Sequence, residues 1–219
     1  MLEAIEVLTA PNPQGAIIWL HGLGADGHDF EPVVPELVPR AERAWRFVFP
    51  HAPVRPVTIN NGMRMRAWYD ITGFDRGAKE DVAGFEQAGA MVTELIEREV
   101  SRGIAPGRIV IAGFSQGGAV TLYAVPRFKQ KLAGAIALSC YLPREATFAA
   151  ERNPANDTTP IFMAHGAADP VVPLPLGQHA RDFLKIQGYK VEWHDYPMPH
   201  AVCPPEIAAI REYLMRVLP

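Results

Sequence analysis

The sequence predicts an α/β fold with a mostly parallel central sheet, helices on both faces and no large cap. Two observations carry this expectation. Short, nearly continuous apolar runs alternate with longer amphipathic stretches along the chain. The residues able to do chemistry fall just after those runs, where an open parallel sheet places its ligands.

The runs Ala16 to Leu20, Phe47 to Phe49, Arg108 to Ala112, Ala135 to Leu138, Ile161 to Ala164 and Val191 to His194 read as strands. Their lack of polar alternation is the pattern of strands covered on both faces. Between them, Phe85 to Glu99 sets Phe85, Ala88, Val92, Leu95 and Ile96 on one helical stripe, and His179 to Ile186 and Glu206 to Val217 repeat the pattern. The segment from about Pro50 to Lys79 fits neither period. It reads as an irregular loop of the kind that borders a binding site, with a short β-excursion as the alternative.

A chain of 219 residues that is 48% hydrophobic suits a single domain, residues 1–219, with its own core. Its 21 prolines cluster in three places and mark rigid irregular segments rather than linkers. A net charge of −3 supplies no field for phosphate backbones, so no nucleic-acid partner is expected. No apolar stretch is long enough to span a membrane, and Met1 to Ala10 lacks the features of a secretory signal. The expectation is a cytoplasmic protein without stable membrane insertion, its two cysteines, Cys140 and Cys203, reduced.

After the run ending at Ala112 comes Gly113-Phe114-Ser115-Gln116-Gly117-Gly118, followed by the helical run Ala119 to Val125. This is G-x-S-x-G between a strand and a helix, a turn sharp enough to lift a serine hydroxyl above the sheet. The flanking glycines are required because a Cβ there would collide where strand and helix cross. A serine hydroxyl needs an imidazole to take its proton, and the imidazole needs a carboxylate to fix its tautomer. With this elbow the acid and the histidine follow the serine in that order, on loops after later strands.

Four histidines lie downstream of Ser115. His179 and His194 fall within predicted elements and His165 opens an earlier loop, which leaves His200, between the last strand and the closing helix, as the base. Asp169, in HGAADP after the strand Ile161 to Ala164, is the acid, with Asp195 as the alternative; Asp157 and Asp182 lie before a strand and in a helix. A tetrahedral oxyanion needs two pre-aimed donors. The amide of Gln116 supplies one, and that of Leu23, in the glycine-rich loop HGLGADG after the first predicted strand, supplies the other.

The blocks HGLGADG, GFSQGGAV, LSCYLP, HGAADPVVP and MPHAV, in that order from about Ile17 to Glu206, resemble the acyl-protein thioesterase and phospholipase/carboxylesterase family of α/β-hydrolases. The segment NNGMRMRAWYD is similar to its bacterial carboxylesterase branch, where the loop borders the active site. The resemblance implies Ser115, Asp169 and His200 as a triad and Leu23 with Gln116 as an oxyanion hole. It implies hydrolysis of short- to medium-chain carboxylic esters, with thioesters and lysophospholipids among the implied substrates, no cofactor, and homodimers in the family. Position 141, tyrosine here, is often tryptophan in eukaryotic members and lines the acyl channel. Trp68, Tyr141 and Val171, with Leu23, are the apolar candidates for substrate binding. No metal is expected, since no H-x-x-x-H or C-x-x-C pairing exists. The competing readings are a lactonase or peptidase on the same machinery, and a non-catalytic binding protein of the same fold.

Overall fold

The computed structural model describes residues 2–38, 43–73 and 79–219. Its strands are β1 (Ala4–Leu8), β2 (Gly15–Leu20), β3 (Trp45–Pro50), β4 (Val54–Val57), β5 (Met63–Arg66), β6 (Ile109–Phe114), β7 (Gly134–Leu138), β8 (Ile161–Gly166) and β9 (Val191–Tyr196). Its α-helices are α1 (Val34–Leu37), α2 (Val82–Ser101), α3 (Gln116–Arg127), α4 (Phe148–Glu151), α5 (Leu174–Ile186) and α6 (Pro204–Val217). Seven strands form one sheet in the order β1-β3-β2-β6-β7-β8-β9, parallel except for β1.

That order decides where a site can form. From β2 the chain moves to β3 on one side, and from β6 it steps through β7, β8 and β9 on the other. The reversal opens a crevice at the carboxyl ends of β2 and β6, which is where open α/β sheets bind ligands.

The central strands bury both faces because alternate residues join different cores. Ala16, Ile18 and Leu20 of β2 pack with α2, α3 and α5, whereas Ile17 and Trp19 pack with α1 and α6. β6 divides in the same way, with Ile109 and Ile111 on one side and Val110 and Ala112 on the other. Helix α3 is buried from Gln116 to Pro126, which its small residues Gly117, Gly118 and Ala119 allow.

The elements differ from the sequence reading in three places. The half-exposed β1 went unpredicted because it is an edge strand with a mixed pattern, held antiparallel to β3. Helices α5 and α6 start at Leu174 and Pro204, earlier than predicted, because prolines next to a helix start occupy its first turn without losing a hydrogen bond. The predicted irregular stretch of about 50–79 contains the antiparallel hairpin β4–β5, and its residues 74–78 lie outside the described residues.

Helix α2 buries the predicted stripe and adds Glu99 to it. Glu99 is fully enclosed and meets Arg46 Nη1 at 2.6 Å, Arg102 Nη1 at 3.0 Å and Arg98 Nε at 3.5 Å. Glu6 of β1 grips Arg102 through two bonds of 2.8 and 2.9 Å. Two acids and three guanidiniums thus tie β1, β3 and the end of α2 together. Removing the enclosed acid leaves three guanidiniums sharing Glu6 alone, which itself is partly exposed. Glu99→Ala is expected to destabilise the fold by about 3–5 kcal/mol, read as a lower urea midpoint.

Candidate active site

Ser115 sits between β6 and α3 with φ 55° and ψ −117°, a conformation that non-glycine residues rarely adopt. The turn survives because its neighbours pack too closely to allow another. A Cβ built on Gly113 would lie 2.2 Å from the carbonyl carbon of Gly117, and one on Gly117 would lie 2.2 Å from the Leu20 carbonyl oxygen. These two positions are therefore closed to any side chain, and α3 leaves the sheet directly beneath the serine. The Ser115 amide donates to the Leu138 carbonyl at 2.8 Å, which fixes the turn to β7.

The loop after β2 lies against this turn. A Cβ on Gly22 would fall 3.4 Å from the Phe114 ring and 3.5 Å from Ser115 Cβ. Among the described residues, neither the Leu23 amide nor the Gln116 amide donates to another protein group. Both stand beside the serine, one in the loop and one at the start of α3, whose dipole is positive at that end.

The loop is held from behind by His21, which the sequence reading gave no role, and by the side chains of Trp68 and Gln116, which it gave other roles. His21 is buried; its Nδ1 donates to the Gly22 carbonyl at 2.7 Å and its Nε2 accepts from the Ala52 amide at 3.0 Å. Those partners require the neutral ring, and burial is the main cause of its lowered pKa. Trp68 Nε1 donates to the His21 carbonyl at 2.9 Å, and the Gly24 amide donates to the Arg66 carbonyl at 2.9 Å. Gln116 contributes its side chain as well: Oε1 accepts from the Trp68 amide at 2.7 Å and Nε2 donates to the Tyr69 carbonyl at 2.8 Å. A buried glutamine at a helix start was the available signal, since its amide demands partners.

Asp169 follows β8 with its carboxylate enclosed. Oδ1 accepts from the Val171 and Val172 amides at 2.8 and 2.9 Å, and Oδ2 accepts from His200 Nδ1 at 2.6 Å. The His200 side chain keeps 15% exposure, and its ring lies 4.7 Å from that of Phe114, the residue before the serine. His165 is buried beside the pair, its Nε2 donating to the Val172 carbonyl at 2.8 Å and lying 3.6 Å from Asp169 Oδ2. Burial again is the first cause of its lowered pKa. Gly166 lets the His200 loop approach, because a Cβ there would lie 2.2 Å from the Pro199 carbonyl oxygen.

The structure thus brings Asp169 and His200 together beside the Ser115 turn. Asp195 is not part of this group: it is exposed and accepts from the Trp193 indole at 3.3 Å. His179 pairs with Glu145 at the surface, and His194 stacks on Phe162. Of the predicted substrate contacts, Val171 is 47% exposed next to Asp169, and half-buried Tyr141 shares a 2.8 Å hydroxyl contact with Tyr69. Trp68 departs from the expectation. It is fully buried, with both N–H groups engaged, so its ring has no surface open to a substrate. Among the described residues, no group of three or more His, Cys, Asp or Glu is placed to hold a metal ion.

The model of the phospholipase/carboxylesterase family matches residues 3–218. Acyl-protein thioesterase 1 of Neurospora crassa is 46% identical over 213 residues, covering 93% of this chain and 86% of that protein. The crystal structure of Arabidopsis thaliana SOBER1 aligns with a TM-score of 0.86 at 34% identity, covering 94% of this chain and 99% of the other. That of Zea mays acyl-protein thioesterase 2 aligns at 0.87 with 27% identity over 100% of both chains. With the strained serine turn and the Asp169–His200 pair at the crevice of a parallel sheet, these likenesses establish that the chain belongs to the phospholipase/carboxylesterase family of α/β-hydrolases, serine hydrolases of ester and thioester bonds.

Proposed function

We propose that the chain hydrolyses short- to medium-chain acyl esters and thioesters through an acyl-enzyme formed on Ser115. The observation that carries this reading is the 2.6 Å bond from His200 Nδ1 to an enclosed Asp169, with the imidazole tilted against Phe114 beside the serine turn. His200 takes the Oγ proton as Ser115 attacks the acyl carbon. The resulting oxyanion is received by the amides of Leu23 and Gln116. His200 then gives its proton to the departing alkoxide or thiolate, leaving the acyl group on Oγ. Water attacks that ester, passing a proton to His200, and collapse of the second intermediate frees the acid and returns the proton to Ser115. Asp169 holds the imidazole by its Nδ1–H and offsets the charge that forms on it.

Val171 and Tyr141 are read as substrate contacts, and Trp68 as the brace of the oxyanion loop. No helix of the described residues is long and apolar enough to cross a membrane, and both thiols are free. These features and the charge of −3 support a cytoplasmic enzyme with no nucleic-acid partner. The family likeness supports a homodimer, which sedimentation of the purified chain would test.

Hydrolysis of p-nitrophenyl esters across acyl length, with Ser115→Ala beside wild type, tests the mechanism. The variant is expected to lose roughly 10⁴-fold or more in kcat. Near-equal rates would remove Ser115 from the chemistry. The neutral frame gives a second outcome. His21 and His165 have lowered pKa values in the folded state, so the unfolded chain binds protons first as pH falls below the ordinary histidine value of 6.5. Stability is therefore present above that value and lost progressively below it. From pH 7 to 5 the melting temperature of wild type should fall relative to that of His165→Gln; parallel profiles would place the acid lability elsewhere.

A further inference from the structure

Six residues beyond His200, Glu206 stands in the first turn of α6 with its side chain wholly enclosed. It is 0% exposed, and neither carboxyl oxygen has a hydrogen-bond partner among the described residues. The other enclosed acids are provided for: Glu99 by arginines, and Asp169 by two amides and an imidazole.

The local sequence explains the difference. Cys203 is the N-cap of α6 and makes no side-chain cap bond, and Pro204 and Pro205 bring no N–H to the first turn. The third helical position, which Glu206 holds, is where a carboxyl reaches back toward the N-cap amide. The Cys203 amide does favour the charged form, but burial outweighs it and pushes the acid up to about 8. The Tyr196 phenol at the end of β9 is close enough to feel the Glu206 carboxyl, and the Cys203 thiol of the cap turn and Glu192 further along β9 act on the same phenol. Glu36 of α1, the helix packed across α6, is exposed to solvent. Among the described residues Glu206 makes no ion pair, so nothing would compensate its charge.

The His200 loop runs straight into this turn through the N-cap Cys203. Its near side is pinned to the end of β8, with the Ala167 amide donating to the Tyr196 carbonyl at 2.7 Å and the Ala168 amide to the Met198 carbonyl at 3.1 Å. Its far side is held by the start of α6, where the Ile207 amide donates to the Cys203 carbonyl at 3.0 Å. We propose that Glu206, as an uncharged acid, is a positioning residue for His200: its enclosed carboxyl seals the start of α6 and thereby holds the imidazole against Asp169 and Phe114. The proposal rests on the reading of His200 as the general base. Loss of the Glu206 proton creates a buried anion without a partner, and its only relief is to swing toward water and take the turn with it.

Two pH series on the full chain test this, one of melting temperature and one of p-nitrophenyl ester hydrolysis, on wild type, Glu206→Gln and Glu206→Ala. The folded acid keeps its proton to about pH 8, whereas the unfolded carboxyl loses it near 4.5. Wild type should therefore lose stability relative to the Gln variant as pH rises through that window, and no further above it. Its kcat should fall above about pH 8 with KM little changed, while Glu206→Gln keeps its rate there and Glu206→Ala loses roughly ten- to a hundredfold at neutral pH. Parallel melting profiles for wild type and the Gln variant overturn the proposal. So does the same alkaline fall of kcat in both, even where the melting profiles diverge. Either result leaves the triad intact, whereas equal rates for Ser115→Ala and wild type remove the base itself, so the two failures are told apart.

Discussion

Gly113 and Gly117 let α3 leave β6 at a separation that admits no side chain, and the rest of the site is arranged around that crossing. The close approach forces Ser115 into its strained backbone conformation, because neither strand nor helix can retreat without breaking the sheet or exposing a helix buried along most of its length. It also aims the N-terminus of α3 at the crevice created by the strand-order reversal between β2 and β6. The loop after β2 arrives at the same place through Gly22, which sits in contact distance of the serine turn. A nucleophile, a helix dipole and a second row of amides are thus delivered together by one packing constraint, before any catalytic side chain is considered.

The charge pattern follows from how each enclosed group is solvated by the protein. Asp169 carries three hydrogen bonds on its two oxygens, the supply of donors that a buried carboxylate needs. His21 meets backbone groups that suit only a neutral ring, and burial lowers the pKa of both His21 and His165, so they serve as polar struts. Glu206 is enclosed without an ion pair among the described residues, and burial raises its pKa to about 8 despite the Cys203 amide. Two enclosed acids therefore flank the His200 loop in different surroundings, one bonded to the imidazole and the other without a charged partner.

The sheet and the triad candidates were legible in the sequence because their signals are local. β2, β6 and β8 read as apolar runs, and Ser115, Asp169 and His200 stand immediately after strands, where topology makes position informative. The supporting contacts were not legible, because they join residues far apart in the chain through backbone partners. The bond from Trp68 Nε1 to the His21 carbonyl spans 47 residues, and nothing in either local motif announces it. An aromatic residue in a loop suggested a substrate wall, and tertiary packing made it a buried brace instead. The same blindness hid Glu99 on the apolar stripe of α2, since its partner Arg46 lies 53 residues away in the chain.

Gln116 joins these levels. Its backbone amide faces the crevice, while its side chain holds the exit of the β4–β5 hairpin through the Trp68 amide and the Tyr69 carbonyl. Trp68 in turn carries the His21 carbonyl, and Arg66 carries the Gly24 amide, so both proposed oxyanion donors rest on one short segment after β5. A hairpin with exposed Val54 and Met63 meets solvent at one end of this chain of bonds and the oxyanion loop at the other. Any ligand that shifts the hairpin must strain buried hydrogen bonds that lack alternative partners, each costing about 1–3 kcal/mol if left open. The hairpin and the Ser115 turn are therefore mechanically one unit, and the geometry of the proposed oxyanion hole depends on the hairpin staying seated.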